Sequence, residues 1–146
     1  MEIILAENHG FCYGVKRAVE MANEAADSDG KSYTLGPIIH NPQVVGRLES
    51  KGVSPIQEVS DIDEGTMIIR SHGVGPAIYE EAEEKGLNIL DATCPHVKKA
   101  QQDAKSVIED GMTLVILGEK NHPEVKSINL WANNKGIIIE DEESAK

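Results

Sequence analysis

The chain has 146 residues, enough for one ordinary domain or one and a half small ones. Its apolar fraction of 40% supports a core, which Ile, Val, Leu and Ala must fill because aromatic residues are only 3%. A formal net charge of −11 excludes a generic nucleic-acid binder, though not a local pocket for an anion.

No apolar run approaches the roughly 18 residues of a membrane span, and no signal peptide is read at the start. Two cysteines far apart in such a chain argue against a disulfide scaffold and for a cytoplasmic protein. Glu2 to Ala6 is a short apolar run that predicts a strand, followed by the turn-rich Asn8-His9-Gly10-Phe11-Cys12-Tyr13-Gly14. Val15, Ala18, Val19, Ala22, Ala25 and Ala26 then recur at helical spacing until Ser28 to Gly30. Ser32 to Leu35 predicts a second strand, closed by Gly36-Pro37. Asn41-Pro42 reads as an N-cap with proline at the first helical position, and that helix carries Val44, Val45 and Leu48 inward as far as Gly52.

Val53 to Gly65 reads as an irregular, acidic surface connection. Thr66 to Arg70 is apolar and β-branched, a strand, and Ser71-His72-Gly73-Val74-Gly75-Pro76 turns from it into a helix that Gly86 stops. Asn88 to Leu90 predicts the next strand. Asp91-Ala92-Thr93-Cys94-Pro95 then opens a helix over His96 to Asp110. Thr113 to Leu117 is a strand, Gly118 to Pro123 a turn, and a helix runs from Pro123 or Glu124 towards Trp131. A last strand covers Gly136 to Ile139, and Asp141 to Lys146 predicts the start of a further helix. Strands alternate with helices, so the class is α/β with mostly parallel sheets. A break between two units is expected near the Cys94 helix. This gives a first α/β unit over residues 1–95 and an incomplete second unit over 96–146.

Cys94 lies at a helix N-terminus, where the dipole and free N–H groups favour a thiolate. A reactive or metal-binding cysteine fits there, and so does a buried structural one. Cys12, His40, His72 and His122 also fall at predicted strand-to-helix turns. In open α/β sheets ligands bind beyond the carboxyl ends of the strands, and helix N-termini there favour anions. Each residue alone has an ordinary structural reading, whereas together they point to a shared site.

The chemistry of that site stays open at the level of residues. Two thiolates suit zinc or iron–sulfur binding, but the close cysteine or histidine pairs of structural zinc are absent. Three histidines at helix N-termini suit a phosphate or diphosphate. Glu124, two residues after His122, is a natural proton donor, and the glycines of 71–75 let backbone N–H groups approach an anion. Three readings follow: a cluster enzyme, a zinc-binding domain using Cys12, Cys94 and two histidines, and a metal-free α/β module that binds a phosphorylated metabolite.

Five motifs match one family in order and spacing: Gly10-Phe11-Cys12-Tyr13-Gly14-Val15, Ile39-His40-Asn41, Ser71-His72-Gly73-Val74, Asp91-Ala92-Thr93-Cys94-Pro95 and His122-Pro123-Glu124-Val125. On these the chain resembles the N-terminal part of the 4-hydroxy-3-methylbut-2-enyl diphosphate reductases, the last enzymes of the non-mevalonate isoprenoid pathway. The resemblance implies three similar α/β units around a 4Fe-4S cluster, of which this chain covers about one and a half. It implies Cys12 and Cys94 as metal ligands, His40, His72 and His122 as substrate-binding residues, and Glu124 as the catalytic acid. It implies reductive dehydroxylation of an allylic diphosphate to isopentenyl and dimethylallyl diphosphate, with an electron donor such as ferredoxin or flavodoxin. The net charge and the lack of a long apolar run lead to the expectation of no nucleic-acid or membrane partner.

Two departures stand out. The family's third cysteine and its later Thr, Ser and Asn substrate contacts have no match here, which implies a fragment that is inactive alone. After His122-Pro123-Glu124-Val125 the family usually places two glycines, where this chain has Ser127 and Leu130. That difference bears on the local shape of the pocket.

Overall fold

The computed structural model describes residues 2–7 and 9–146. Four strands, β1 (Ser32–Leu35), β2 (Val53–Ile56), β3 (Thr66–Ile69) and β4 (Asn88–Asp91), form an all-parallel sheet in the order β2-β1-β3-β4. Two more, β5 (Val115–Leu117) and β6 (Ile137–Ile139), form a separate parallel pair. Five α-helices alternate with them: α1 (Tyr13–Ala26), α2 (Pro42–Ser50), α3 (Pro76–Glu84), α4 (Pro95–Glu109) and α5 (Pro123–Trp131). The α/β class with parallel sheets is therefore the observed one.

Both faces of the four-stranded sheet are covered, so β3 carries a continuous apolar run, Met67 to Ile69, rather than an alternating one. On one face α1 and α2 bury Ala18, Ala22, Ala25, Val44 and Leu48 against Val53, Ile68 and Ala92. The alanines recur every three or four residues, and their short side chains let α1 approach the sheet closely. On the other face α3 and the loop after β2 bury Val59, Ile62, Val74 and Ala82 against Leu35, Met67 and Ile69. The central strand β3 thus points Ile68 one way and Met67 and Ile69 the other, all three at 0% exposure. Each such side chain contributes about 1.5–3 kcal/mol by leaving water.

From β1 the chain crosses through α2 to β2 on one side, and from β3 through α3 to β4 on the other. The direction of winding reverses between β1 and β3, and that reversal opens a crevice at their carboxyl ends.

Helix starts follow the sequence signals. Asn41 caps α2 by accepting a 3.0 Å hydrogen bond from Val44 N–H, with Pro42 at the first helical position. Proline likewise opens α3, α4 and α5.

Three expectations fail. Residues 2–6 form no strand: Ile3, Ile4 and Leu5 are 74%, 84% and 67% exposed, and no strand pairs with them. An apolar run without a ladder partner cannot satisfy its backbone groups as a strand. Val53–Ile56 is an edge strand rather than an irregular connection, with Val53 and Ile56 buried. Pro55 is tolerated there because an edge strand can spare one ladder donor. Residues 141–146 form turns, held by Asp141 and Ser144 capping each other, and not a helix. Asn8, in the predicted turn before α1, lies outside the described residues.

Candidate functional site: an imidazole cluster on a stitched rim

Three turns at the carboxyl end of the sheet are tied together by backbone and hydroxyl groups. Ser71, just after β3, donates through N–H and Oγ to the Ile38 carbonyl beyond β1, both at 3.3 Å. Its own carbonyl accepts from Cys94 N–H at 2.9 Å, beyond β4. The turns that carry His40, His72 and Cys94 therefore form one rigid rim, with nearly all of Ser71 buried.

Helix α1 joins that rim from the side. Arg17 donates to the carbonyls of Thr93 (3.2 Å) and Asp91 (3.3 Å). Gly14 packs so closely on Cys94 that a Cβ at position 14 would run into Cys94 Sγ. Cys12 is the N-cap of α1 and Cys94 the N-cap of α4; neither side chain makes a capping hydrogen bond, and both thiols are free. Because residues 2–6 are not a strand, Cys12 sits at a helix start but not at a strand-to-helix turn. The other four chemically capable residues do follow strands.

On the rim the three histidines converge. One ring nitrogen from each of His40, His72 and His122 lies within 4.8 Å of the others. The ring centroids of His40 and His72 are 4.5 Å apart, those of His72 and His122 5.7 Å, and those of His40 and His122 6.2 Å. His40 and His72 thus flank the crevice between β1 and β3, and α5 closes it with His122. Neither cysteine nor the Glu124 carboxylate belongs to this cluster.

The rings differ in environment. His72 is half-buried, and its Nδ1 finds no partner among the described residues. Burial pushes its pKa down to about 4, aided by the nearby His40, Arg70 and His122. At neutral pH it is an uncharged ring. His122 caps its own helix, with Nδ1 accepting from Glu124 N–H at 3.3 Å. That bond leaves the ring proton on Nε2, the nitrogen free to donate outward. Glu124 is half-buried in the first turn of α5, two residues after His122.

Behind the cluster runs a buried polar chain that sequence reasoning missed. Ser127 Oγ donates to the His72 carbonyl at 2.8 Å and accepts from Gln101 Nε2 at 3.3 Å. Gln101 and Ser127 are 2% and 3% exposed, so no solvent replaces those bonds. Gly73 fits over this pair only because it lacks a side chain: a Cβ would run into Gln101 Nε2 and lie 3.0 Å from Thr93 Cγ2. The signal in the sequence was a glutamine inside the inward stripe Val97–Gln101–Ala104 of α4. Ser127 therefore fastens α5, with His122 and Glu124, to the His72 turn. Leu130 packs on Gly75, where a Cβ would sit 2.8 Å from Leu130 Cδ1. Both positions that depart from the resemblance are built into the packing.

Across residues 3–146 the sequence matches the family described as LytB protein. The chain belongs to the LytB family. Relatives in that family are similar over its whole length. A 4-hydroxy-3-methylbut-2-enyl diphosphate reductase of Geotalea uraniireducens is 52% identical over 147 residues, covering 100% of this chain and 52% of the relative. One of the same name from Geobacter metallireducens is 52% identical over 145 residues, covering 99% of this chain and 51% of the relative. Among solved structures, an (E)-4-hydroxy-3-methyl-but-2-enyl diphosphate reductase, the terminal enzyme of the non-mevalonate pathway, superposes with a TM-score of 0.83 at 49% identity. It covers 97% of this chain and 52% of its own. The E-1-hydroxy-2-methyl-but-2-enyl-4-diphosphate reductase from Plasmodium falciparum superposes with a TM-score of 0.90 at 32% identity, covering 94% of this chain and 44% of its own. The chain thus spans about half the length of the relatives it matches. Among its described residues no helix is long and apolar enough to cross a membrane.

Proposed function

We propose that the chain is the N-terminal half of a cytoplasmic reductase that removes the allylic hydroxyl of 4-hydroxy-3-methylbut-2-enyl diphosphate. The observation that carries this reading is the convergence of three imidazoles on the rim that also holds Cys94 and the α1 N-terminus. Residues 1–95 supply the cysteine and diphosphate motifs, and residues 96–146 begin a second unit that adds His122 and Glu124.

The two thiols fit two positions of a 4Fe-4S cluster: both are free, both sit at helix N-caps without a capping hydrogen bond, and Gly14 leaves room beside Cys94 that any other residue would fill. A third cysteine must come from the remainder of the protein. When bound, the cluster supplies the two electrons that, with two protons, convert the substrate to isopentenyl or dimethylallyl diphosphate and water. A small redox protein such as ferredoxin or flavodoxin provides them.

The chain's own residues bind and protonate. His40, His72 and His122 donate N–H hydrogen bonds to the diphosphate, with His122 using Nε2. Glu124 holds the proton for the departing hydroxyl. In the full-length protein, His40→Ala or His72→Ala should weaken substrate binding with the iron content retained. A charge-assisted hydrogen bond to phosphate contributes about 1.5–3 kcal/mol, so affinity should fall roughly ten- to hundredfold. Titration calorimetry checks this, and normal binding by both variants would exclude the anion pocket.

The uncharged state of His72 gives the pocket a pH signature. The free protein keeps this ring neutral down to about 4, with burial, His40, Arg70 and His122 opposing the charge. A bound diphosphate supplies negative charge and must raise that value. Binding therefore takes up protons, and affinity rises as the pH falls from the bound pKa towards 4. Calorimetry in buffers of different ionisation enthalpy measures the uptake. It should shrink in His72→Ala, and an unchanged value there would assign the proton to another group.

A further inference from the structure

Beside the imidazole cluster, a cleft of about 330 Å³ is lined by residues of the β3–α3 turn, α3 and α5. Arg70 and Lys126 line it, and no acidic residue does. That is unusual in a chain with 25 acidic and 14 basic residues. Arg70 is half-buried, and its guanidinium makes no ion pair or hydrogen bond among the described residues; Nε is fully enclosed and without a partner. Desolvation lowers its pKa, the mark of a cation whose charge nothing nearby balances. Its Nη1 end comes close to Gly36, where a Cβ would sit 2.7 Å from Nη1. A half-buried cation without an anionic partner is costly, and a guanidinium fork matches the geometry of an oxyanion. Leu35, Val74, Ile78 and Leu130 form the apolar part of the wall, and Gln57 and Ser127 add uncharged polar groups.

We propose that this cleft is a second anion site, which takes a phosphate or carboxylate carried on a small apolar group. Arg70 grips the oxyanion in its fork, Lys126 adds charge at the mouth, and the apolar wall covers the organic part. The cleft shares the β3–α3 turn with the imidazole cluster, and none of the three histidines lines it.

The test is calorimetric titration of the full-length protein with butyl phosphate, with pentanoate in a parallel arm. The expected result is uptake at a site that Arg70→Met weakens about tenfold or more and that a His40→Ala/His122→Ala double variant leaves intact. Butyl phosphate should bind more tightly than inorganic phosphate. The parallel arm decides whether phosphate or carboxylate is preferred. A thermal melt checks that Arg70→Met folds; if it does not, Lys126→Met, at an exposed position, should weaken the same site. Butyl phosphate uptake that is lost in the histidine variant and unchanged in the Arg70 and Lys126 variants would overturn the second site and leave the imidazole pocket standing. Uptake that depends on Arg70 alone, with none attributable to the histidines, would do the reverse.

Discussion

Cys94→Ser should lower the iron content of the full-length protein and abolish its turnover. Cys94 opens α4 with a free thiol, no capping hydrogen bond and only partial burial. Its sulfur faces the N-terminal turn of α1 across Gly14, the turn that Cys12 caps. Serine keeps the shape and loses the soft thiolate that an iron–sulfur centre requires. A purely structural cysteine would behave differently. Serine there would change stability modestly, leaving iron content and activity intact. Iron analysis after anaerobic purification separates the two cases, and full iron with normal activity would sink the assignment.

Glu124→Gln should leave cluster content and substrate binding near normal and reduce turnover about 10²-fold or more, the range set by positioned proton donors. The glutamine matches the size of the acid and cannot deliver a proton. The surrounding geometry favours a clean result. Glu124 N–H is already held by His122 Nδ1, and its carbonyl shares the one Ser127 hydroxyl proton with the His72 carbonyl, at 2.9 and 2.8 Å. Both are backbone bonds that the substitution preserves. Single-turnover kinetics is the measurement, because it isolates chemistry from binding and electron delivery. A variant that turns over at the original rate would exclude the role.

Much of this arrangement was legible in the residues, for physical reasons. The Asn41-Pro42, Gly75-Pro76, Cys94-Pro95 and His122-Pro123 pairs mark helix starts because proline suits the first helical position. Parallel strands then bring the turns of His40 and His72 to one edge of the sheet, and α5, which follows β5 of the separate pair and is fastened through Ser127, adds His122. What stayed hidden depends on tertiary partners. Residues 2–6 have the composition of a strand and no ladder to join. Val53–Ile56 contains a proline yet finds an open edge beside β1. Gln101 and Ser127 look like ordinary helix residues until α4 and α5 pack and bury them together. Arg70 reads as the end of a strand, and only the fold leaves it without a counter-charge.

The β5–β6 pair also exposes Val115, Leu117 and Ile137, at 53%, 80% and 53%. Such a surface favours self-association when nothing covers it.

The central claim is that this chain supplies half of a reductase site whose remainder lies elsewhere in the full-length protein. Its direct test is anaerobic iron–sulfur reconstitution of the 146-residue chain beside a chain extended through the third cysteine, each assayed with 4-hydroxy-3-methylbut-2-enyl diphosphate. The expected result is that the short chain binds iron weakly, self-associates and forms no product, while the extended chain gains cluster and activity together. Reduction of the substrate by the short chain at a rate near that of the extended one would contradict the claim.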